Sequence, residues 1–566
     1  MTTLLGFSAI VVASLLVVFI ALAGPRLARG LASAKRARRV GQRTIVVGSG
    51  DAAVSLIRLA EGNPNFAYTV VGCVDDQILR PRVAGKPILG SVNDLPGLVG
   101  RLKIACIIIA IPNASTQLVK QVVDGCSRAR GLEGGPPAVQ ILPGVLELLK
   151  DHVKSVRVRP IQPEDLLSRD SVRVDLAEIA PYVTNQTVLV TGAGGSIGSE
   201  LCRQIVGLNP SLLLLLGHGE NSLFEIDEEL RFNFDFHRTK IILADVADAT
   251  RIRSIFSKYR PHVVFHSAAH KHVPIVENNV CEAIRNNILG THVVALAAAA
   301  VGAAKFVLLS TDKAVNPASV MGATKRVAEL ITQSFHNQTG TEFVTVRFGN
   351  VLGSRGSVIP TFKKQIESGG PVTITHREMK RYFMTIPEAV SLVLLAMAIG
   401  RDGQVLVFDM GEQVAVLHLA EKLISLSGLT PHRDIRIVET GVRPGEKLYE
   451  EVLASSEDLS QTSHAYLLIA RSERMPYDQL AVGLQALETS VQMNDQAAAL
   501  NTLRELVPSF QPGEHLFGSA DGVIGLPAAL SGDGKAAAAH NGRAELADVG
   551  DPFETATSAR SQSPGE

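Results

Sequence analysis

Short apolar runs alternate with stretches of helical spacing over most of this chain. The runs beginning at Thr44 and Thr187 are each followed by a glycine turn and then by apolar residues three or four positions apart. Strands buried in a parallel sheet appear as continuous apolar runs, and their alternation with helices is typical of parallel α/β folds. We therefore predict an α/β protein with two doubly wound domains.

The chain ends differ from this pattern. The segment from Leu4 to Gly24 carries no charge and is long enough to cross a bilayer, and a cluster of Arg and Lys follows it. We predict a transmembrane anchor over 1–25, a basic linker over 26–43, and the rest in the cytoplasm. A signal peptide is the alternative, but the positively charged start is missing. Residues 513–566 lack periodicity and predict a disordered tail.

The first glycine turn follows the strand that begins at Thr44 and contains Gly48 and Gly50. A second strand ends in Asp75 and Asp76, about where a ribose-binding acid lies in nucleotide folds. Residues 44–150 are thus predicted to be a Rossmann-like domain, which either binds a nucleotide or keeps only the architecture. Residues 151–182 are predicted to be a connecting segment.

The second glycine turn, TGAGGSIG, has the spacing of a dinucleotide-binding fingerprint, lies between an apolar strand and a helix, and opens a domain over 183–512. Gly217 stands where an acid usually holds the NAD ribose, so the choice between NAD and NADP stays open. The predicted cofactor-binding residues are Gly192, Gly195, Ser196, Ile197, Gly198, His218, Asn221, Asp245, Val246, Ser267, Ala268, Ala269 and Lys325.

The stretch STDKAVNPASVMGATK follows a predicted buried strand and leads into a predicted helix. Open α/β sheets bind ligands at the carboxyl ends of their strands, so this stretch is the predicted reaction site. Its candidate catalytic residues are Thr311, Asp312, Lys313, Met321 and Lys325.

Basic side chains recur in later loops. Arginine pairs bidentately with phosphate oxygens, so these loops predict a second anionic ligand beside the dinucleotide, with Arg347 among the candidates. Three alternating histidines, His266, His270 and His272, lack accompanying carboxylates, and no metal is predicted. The predicted substrate-binding residues are Lys271, His272, Asn350, Arg355, Arg381, Arg443 and Glu446.

The amino-acid composition limits the classes of partner that the protein can bind. Lys plus Arg equals Asp plus Glu at 55 each among 566 residues, so no global charge favours nucleic acid. The five cysteines are scattered through apolar runs, which indicates buried thiols in a reducing compartment. Residues from about 455 to 510 are predicted to be helical.

Taken in order, the motifs TGAGGSIG, HKHVPIVE, STDKAVNPASVMGATKR, VRFGNVLGSRGSVIP, THREMKRYFMTIPEAV and VRPGEKLYEE give the chain a family resemblance. It resembles the membrane-anchored polysaccharide-biosynthesis dehydratases, extended short-chain dehydrogenase-like enzymes that act on UDP-N-acetylglucosamine. The resemblance covers about residues 44 to 510. It implies an extended short-chain dehydrogenase fold with a smaller substrate-binding part, a tightly bound NAD or NADP regenerated in each turnover, and a homo-oligomer at the inner membrane.

The resemblance also implies roles at the reaction site. Asp312 would be the acid for the C6 hydroxyl and Lys313 the base for the C5 proton, with pKa values moved toward neutrality. Lys325 would hold the nicotinamide ribose and lower the pKa of a proton acceptor. Met321 stands where short-chain dehydrogenases carry Tyr. The larger members of the family resemble this chain in having Met at this position, so Thr311 or a water would relay the proton of the C4 hydroxyl.

Two alternative functions stay open, and the chain departs from the family pattern in one further respect. Met321 could mark an impaired site in a membrane-tethered sensor or scaffold of nucleotide sugars. A nucleotide-sugar 4-epimerase is the other enzyme that fits, although it does not need the Asp312–Lys313 pair. The family commonly carries four membrane helices, whereas this chain shows one membrane segment.

Overall fold

The structure is a computed structural model that describes residues 41–63, 66–77, 81–111, 114–127, 129, 136–142, 158–161, 174–452, 457–472, 474–513 and 516. The predicted anchor at 1–25, nearly all of the basic linker, much of the connecting segment and nearly all of the predicted tail lie outside these residues. The predictions for those segments stay predictions.

The first domain is built on a five-stranded sheet of order β2-β1-β5-β6-β7. Its strands pair in parallel except for β7, which runs antiparallel to β6. The strands are β1 (Gln42–Val47), β2 (Tyr68–Val74), β5 (Cys106–Ile109), β6 (Ala138–Ile141) and β7 (Arg159–Pro160), with the hairpin β3 (Arg82–Val83) and β4 (Lys86–Pro87). The helices are α1 (Asp51–Gly62), α2 (Leu95–Leu102) and α3 (Thr116–Ser127).

The two ends of the predicted connecting segment belong to different domains. Arg159 pairs with Ile141 and so continues the first sheet. The helix α4 (Leu176–Val183) instead places Ile179 and Val183 in the apolar core of the second domain. The passage between the domains therefore falls between these two elements.

The second domain is built on a nine-stranded sheet of order β10-β9-β8-β11-β12-β13-β18-β22-β21. Strand order reverses between β8 and β11, which is the place where open α/β sheets bind ligands. The parallel strands are β8 (Thr187–Thr191), β9 (Leu212–Gly217), β10 (Thr239–Leu243), β11 (Val263–His266), β12 (Lys305–Leu309), β13 (Glu342–Arg347) and β18 (Gln404–Phe408). With the first domain, this confirms the predicted α/β class and the two doubly wound domains.

Helices cover both faces of this sheet. Those that follow its first strands are α5 (Ser196–Val206), α6 (Glu220–Asn233), α7 (Ala249–Tyr259), α8 (Val273–Glu277), α9 (Val280–Ile284), α10 (Gly290–Val301) and α11 (Val320–Ser334). Further along the chain are α12 (Val358–Glu367), α13 (Ile386–Ile399), α14 (Val416–Leu426), α15 (Tyr477–Gln492) and α16 (Gln496–Leu506).

The prediction of helix from about residue 455 is wrong in its first part. Strands β21 (Asp458–Gln461) and β22 (Leu467–Arg471) extend the sheet antiparallel to β18, and helix begins only at Tyr477. Backbone pairing with the open edge of β18 decides the structure here, and tertiary context of this kind overrides local periodicity.

A smaller lobe has its own apolar cluster, which includes Leu352, Phe362, Met379, Leu419 and Ile435. This lobe corresponds to the smaller part that the family resemblance implied, and its role in substrate binding stays a prediction. Its short strands are β14 (Asn350–Val351), β15 (Val372–Ile374), β16 (Lys380–Arg381), β17 (Phe383–Met384), β19 (Val414–Ala415) and β20 (Ile437–Glu439).

Within the described residues, one helical run is apolar and long enough to cross a membrane. This run, Val280–Val301, has 56% of its apolar window buried inside the protein. Val294 and Ala298 pack in the main core, so the run is an interior helix of the second domain.

Candidate active site

The glycine turn after β8 is shaped for close approach of a ligand. Gly192 has φ +67°, and a Cβ on it would lie 2.9 Å from the backbone nitrogen of Ala268. A Cβ on Gly198 would lie 2.1 Å from the Gly192 carbonyl oxygen, so only glycine lets α5 pack against the turn. Gly195 is the N-cap of α5, whose backbone N–H groups suit a phosphate. The turn therefore fits a dinucleotide.

A cavity of about 940 Å³ extends from this turn to the smaller lobe. It brings together most of the predicted site residues from distant parts of the chain. The predicted residues that line it are Gly192, Gly195, Ser196, Ile197, Gly198, Ser267, Ala269, Lys271, His272, Thr311, Lys313, Met321, Lys325, Asn350, Arg355, Arg381, Arg443 and Glu446.

Other predicted cofactor residues lie away from the cavity wall. His218 and Asn221 are exposed after β9. The carboxylate of Asp245 accepts hydrogen bonds from Arg285 Nη1 at 2.8 Å and from the Ala247 backbone at 2.9 Å. Val246 is buried, and the backbone of Ala268 lies against Gly192. Their roles in binding stay predictions.

Asp312 is the most enclosed acid of the reaction site. It lies in a short 3-10 turn after β12, and its Oδ1 accepts hydrogen bonds from Thr311 Oγ1 at 2.9 Å and Lys313 Nζ at 3.0 Å. Its Oδ2 is buried without a partner and lies 3.1 Å from the Cβ position of Gly349. A buried carboxylate oxygen normally has a hydrogen-bond donor, so this atom can accept one more hydrogen bond. Asp312 itself is not among the residues that line the cavity, whereas its neighbours Thr311 and Lys313 are.

Lys313 contacts three side-chain oxygens. Its Nζ lies 3.0 Å from Asp312 Oδ1, 3.0 Å from Asn350 Oδ1 and 3.3 Å from Glu450 Oε1. Burial alone would lower the pKa of Lys313, but the carboxylates of Asp312 and Glu450 outweigh burial and raise it above its ordinary value. The expectation that the pKa of Lys313 moves toward neutrality is therefore wrong, because two carboxylates face one ammonium.

Lys325 behaves in the opposite way. It lies in the second turn of α11, and burial lowers its pKa from 10.5 to about 8, although Glu329 partly opposes the shift. Met321, one turn earlier, is 3% exposed and lines the cavity. A thioether cannot accept the proton of a hydroxyl, so the proton acceptor must be another group.

Arg347 is not a phosphate ligand, contrary to the prediction. Its Nε and Nη2 donate to Glu329 at 2.8 and 2.7 Å, and its Nη1 donates to Glu457 at 2.7 Å. The side chain is 1% exposed. Glu329 also accepts a hydrogen bond from Ser310 Oγ at 2.6 Å, so this buried ionic network supports the end of β12, next to Asp312.

Arg381 is used by the protein itself. Its guanidinium donates to the backbone oxygens of Lys380, Lys447 and Leu448 at 2.7 to 3.0 Å. Its Nε lies 3.5 Å from Glu450. Although Arg381 lines the cavity, it mainly holds the loop that carries VRPGEKLYEE.

The other predicted substrate residues are more available. Arg443 is exposed, and Oε2 of Glu446 is buried without a partner. Arg355 bridges to the glycine turn, since its Nη1 donates to the Gly194 carbonyl at 3.1 Å. Lys271 Nζ donates to Ser354 Oγ at 3.3 Å, and partial burial lowers the pKa values of Lys271 and His272.

Asn287 fixes the loop that follows β11. Its Oδ1 accepts a hydrogen bond from the His270 backbone at 2.8 Å, and its Nδ2 donates to the His270 carbonyl at 3.0 Å. It lies in a π-helical turn, Arg285–Leu289, between α9 and α10.

In the described part of the chain, no three His, Cys, Asp or Glu residues group as metal ligands.

Sequence reasoning missed Glu450. It is 5% exposed and lines the cavity beside Lys313. It belongs to the motif VRPGEKLYEE, which holds three glutamates, and nothing in the sequence says which one turns inward. The prediction of buried thiols is confirmed for Cys73, Cys106, Cys126 and Cys202, which are free and buried, whereas Cys281 is free and partly exposed.

Two protein-family profiles match the chain. One, described as "Polysaccharide biosynthesis protein", matches residues 188–472, which covers half of the chain and the whole cavity-bearing sheet. The other, described as "CoA-binding domain", matches residues 5–129 and so covers most of the first domain.

Curated relatives extend the similarity. The chain is 48% identical over 422 residues to the capsular polysaccharide biosynthesis protein CapD of Staphylococcus aureus, which covers 73% of this chain and 69% of that protein. A UDP-glucose 4-epimerase of Rickettsia canadensis is 34% identical over 284 residues, 49% of this chain and 80% of that protein.

A third relative is the UDP-N-acetylglucosamine 4,6-dehydratase (inverting) of Campylobacter jejuni, 32% identical over 278 residues, 48% of this chain and 78% of that protein. The profile match over half of the chain and the similarity to CapD together establish the family of this chain. The chain belongs to the polysaccharide biosynthesis protein family, a family of extended short-chain dehydrogenase-like nucleotide-sugar dehydratases and epimerases.

Proposed function

We propose that this protein is a UDP-N-acetylglucosamine 4,6-dehydratase that forms a 4-keto-6-deoxy sugar nucleotide for surface polysaccharide. The observation that carries the proposal is the Asp312–Lys313 pair directly after β12, in which Lys313 lines the cavity and Asp312 Oδ2 lacks a donor. Loss of water across C5 and C6 needs an acid and a base held side by side, and this pair supplies both.

NAD or NADP is the cofactor we propose for the glycine turn. When bound, it would accept hydride from C4 of the sugar and return hydride to C6. Gly192, Gly195 and Gly198 would hold its phosphates, and Lys325 would hold the ribose next to the reacting carbon. The low pKa of Lys325, about 8, favours proton movement near neutral pH.

Asp312 would receive the C4 hydroxyl proton through Thr311. The Thr311 hydroxyl already donates to Asp312 Oδ1 at 2.9 Å, so it can pass one proton inward as it accepts another from the sugar. Asp312 would then give that proton to the departing C6 hydroxyl, and Met321 need not take part. Lys313 would remove the C5 proton.

The substrate would lie between the glycine turn and the smaller lobe. Arg355 and Arg443 would face the diphosphate, and Glu446 would accept hydrogen bonds from the ligand through its unpaired Oε2. The residues that we propose for substrate binding are Lys271, His272, Asn350, Arg355, Arg443 and Glu446, with Arg381 acting through the loop it holds.

The test is conversion of the sugar nucleotide. We expect the full-length protein, incubated with UDP-N-acetylglucosamine, to give a product lighter by one water in mass spectrometry. Asp312→Asn should bind UDP-N-acetylglucosamine but lose conversion by at least about 100-fold, because general acid catalysis contributes roughly that factor.

Other outcomes separate the alternatives. A product of unchanged mass and inverted C4 would identify an epimerase, as one relative is named. Binding of UDP-N-acetylglucosamine without conversion, together with a cellular role that survives Asp312→Asn, would identify a sensor or scaffold.

For the rest of the chain we propose an anchor over 1–25, a linker over 26–43, a first domain over 44–150, a connection over 151–182, a catalytic domain over 183–512 and a tail over 513–566. These bounds shift where the structure describes them: β1 begins at Gln42, the first sheet continues to Pro160, and the helix Leu176–Val183 joins the catalytic domain. The protein would be a homo-oligomer that spans the inner membrane once, with both folded domains in the cytoplasm. Protease protection in oriented membrane vesicles tests the orientation.

A further inference from the structure

Glu450 lies next to the predicted base. Its Oε1 is 3.3 Å from Lys313 Nζ, and its side chain is 4% exposed. The Gln413 side-chain amide donates to the Glu450 carbonyl at 2.8 Å, and the Arg381 guanidinium lies beside the carboxylate. Glu450 is therefore held in place through both its backbone and its side chain.

Lys313 is an ammonium group in the structure, and an ammonium nitrogen has no lone pair with which to accept a proton. An ammonium group has three protons, and the three neighbouring oxygens belong to Asp312, Asn350 and Glu450. To remove a proton from C5, Lys313 must first lose one of its own. An amide oxygen such as that of Asn350 is too weakly basic to take it.

Asp312 is also excluded as the acceptor. In the proposed function, on which this inference rests, Asp312 must carry the proton that leaves with the C6 hydroxyl. Its Oδ1 already faces the Thr311 hydroxyl from which that proton would come. Of the three oxygens around Lys313, only the Glu450 carboxylate is left.

We propose that Glu450 is a positioning residue that holds Lys313 beside the sugar and takes up its proton, which makes Lys313 a neutral base. The N–H bond of the ammonium breaks and an O–H bond forms on Glu450. The Lys313 lone pair then takes the C5 proton, the C5–H electrons form the C5–C6 double bond, and the C6 oxygen leaves as water with the Asp312 proton. When Lys313 returns a proton to C5, Glu450 gives its own proton back.

The surrounding charges suit this exchange. Asp312, Lys313, Glu450 and Arg381 form one contiguous cluster, and a proton that moves from Lys313 to Glu450 leaves the net charge of the cluster unchanged. Asp312 and Glu450 together raise the pKa of Lys313, and protonation of Asp312 by the C4 proton removes one of these two carboxylate charges. The transfer then replaces one buried ion pair with two neutral groups. Lys447, on the same loop, donates from its ammonium to the Val315 carbonyl and to Glu451. The other charged groups of this loop, Arg443 and Glu446, line the cavity.

The experiment measures proton exchange at C5 without any hydride step. The UDP-4-keto-6-deoxy sugar has a C5 proton made acidic by the neighbouring ketone, so the full-length protein in D₂O should exchange it, as followed by NMR. We expect Glu450→Gln to slow this exchange by at least about 30-fold at pH 7, since general-base catalysis contributes 10²–10⁴-fold. The exchange in Glu450→Gln should recover about tenfold per pH unit, because solvent must then deprotonate Lys313.

Controls separate this role from a structural one. Glu450→Asp should restore part of the exchange, and Glu451→Gln, which changes the adjacent carboxylate that pairs with Lys447, should exchange like the wild type. Thermal unfolding and UDP binding confirm that each variant folds. Should Glu450→Gln fail to fold, Glu450→Asp carries the test, with slower exchange and an altered pH profile expected.

Two results would overturn the proposal. One is wild-type exchange in Glu450→Gln with a flat pH profile, and the other is slow exchange that no rise in pH restores. Conversion of UDP-N-acetylglucosamine by the wild type is measured in parallel. Failure of the wild type to release water counts against the proposed function, whereas water release with normal exchange in Glu450→Gln counts against the role of Glu450 alone.

Discussion

Lys325 shows how the site trades stability for chemistry. The pKa of Lys325 in the folded protein, about 8, lies below its ordinary value of 10.5. The charged form of this buried side chain therefore lowers the free energy of unfolding. A shift of that size corresponds to about 3 kcal/mol at pH 7. Reactivity near neutral pH and lower stability thus have the same cause, the burial of one ammonium.

We expect Lys325→Met to stabilise the protein by up to about 3 kcal/mol at pH 7 while abolishing sugar conversion. The unfolded chain binds the Lys325 proton more tightly, so wild-type stability rises as pH increases from about 8 toward 10.5. The gain in the variant should shrink over the same window. Urea unfolding at a series of pH values measures it, and a variant less stable than the wild type at pH 7 would contradict the prediction.

At the scale of single residues, the sequence predicted chemistry better than placement. Thr311, Lys313, Met321 and Lys325 line the cavity, because their motif connects a strand end to a helix. The places of Arg347 and Glu450 could not be predicted from residue type. The guanidinium that looked like a phosphate ligand is buried between two glutamates, and which loop glutamate turns inward depends on contacts distant in sequence.

Between elements, the buried ionic network joins β13, α11 and the segment that leads into β21. Glu329 lies on α11, Arg347 ends β13, and Glu457 immediately precedes β21. Burial alone would raise the pKa of Glu329, but Arg347, Arg326 and Ser310 outweigh burial and lower it from 4.5 to about 2. The network therefore ties these elements together behind the reaction site.

We expect Arg347→Met to destabilise the protein by about 3–5 kcal/mol at pH 7, because it leaves buried carboxylates without their main counter-ion. The stability that Glu329 contributes is present above pH 4.5 and is lost as pH falls toward 2, so the difference from the wild type should shrink in that range. Arg326→Met, which removes the outer partner of Glu329, is the control and should cost less. Equal losses from the two variants would contradict the arrangement.

The elements also show where sequence patterns stop being informative. The parallel strands were predictable because both faces are buried, which gives apolar runs such as those of β8 and β12. Strands β21 and β22 were not, because their structure comes from pairing with β18 rather than from their own periodicity. The glycine turn was predictable because its spacing is a steric requirement.

For the whole molecule, the described cores are nearly separate. The two apolar clusters of the first domain include one residue of the second domain, Leu426 at the end of α14. The clusters that surround the cavity include no described residue of the first domain. The domains are therefore expected to fold as distinct units.

We expect calorimetry of the full-length protein to show two unfolding transitions. Added UDP should raise the midpoint of the transition that belongs to the cavity-bearing domain and leave the other unchanged, because a ligand stabilises only the unit that binds it. Arg347→Met should lower the same transition that UDP raises. A single transition that moves as a whole would show that the domains unfold together.

The late strands and helices of the second domain also set an order of assembly on the ribosome. Strand β22 covers the edge of β18, and α15 and α16 bring Leu480, Leu484 and Leu500 into the same cluster as Met321. Asp312 and Lys313 are thus synthesised long before β22, α15 and α16, which pack around the reaction site. A nascent chain that has not reached β21 holds every proposed catalytic group, yet Arg347 still lacks Glu457, and one face of α11 is open to chaperones and proteases.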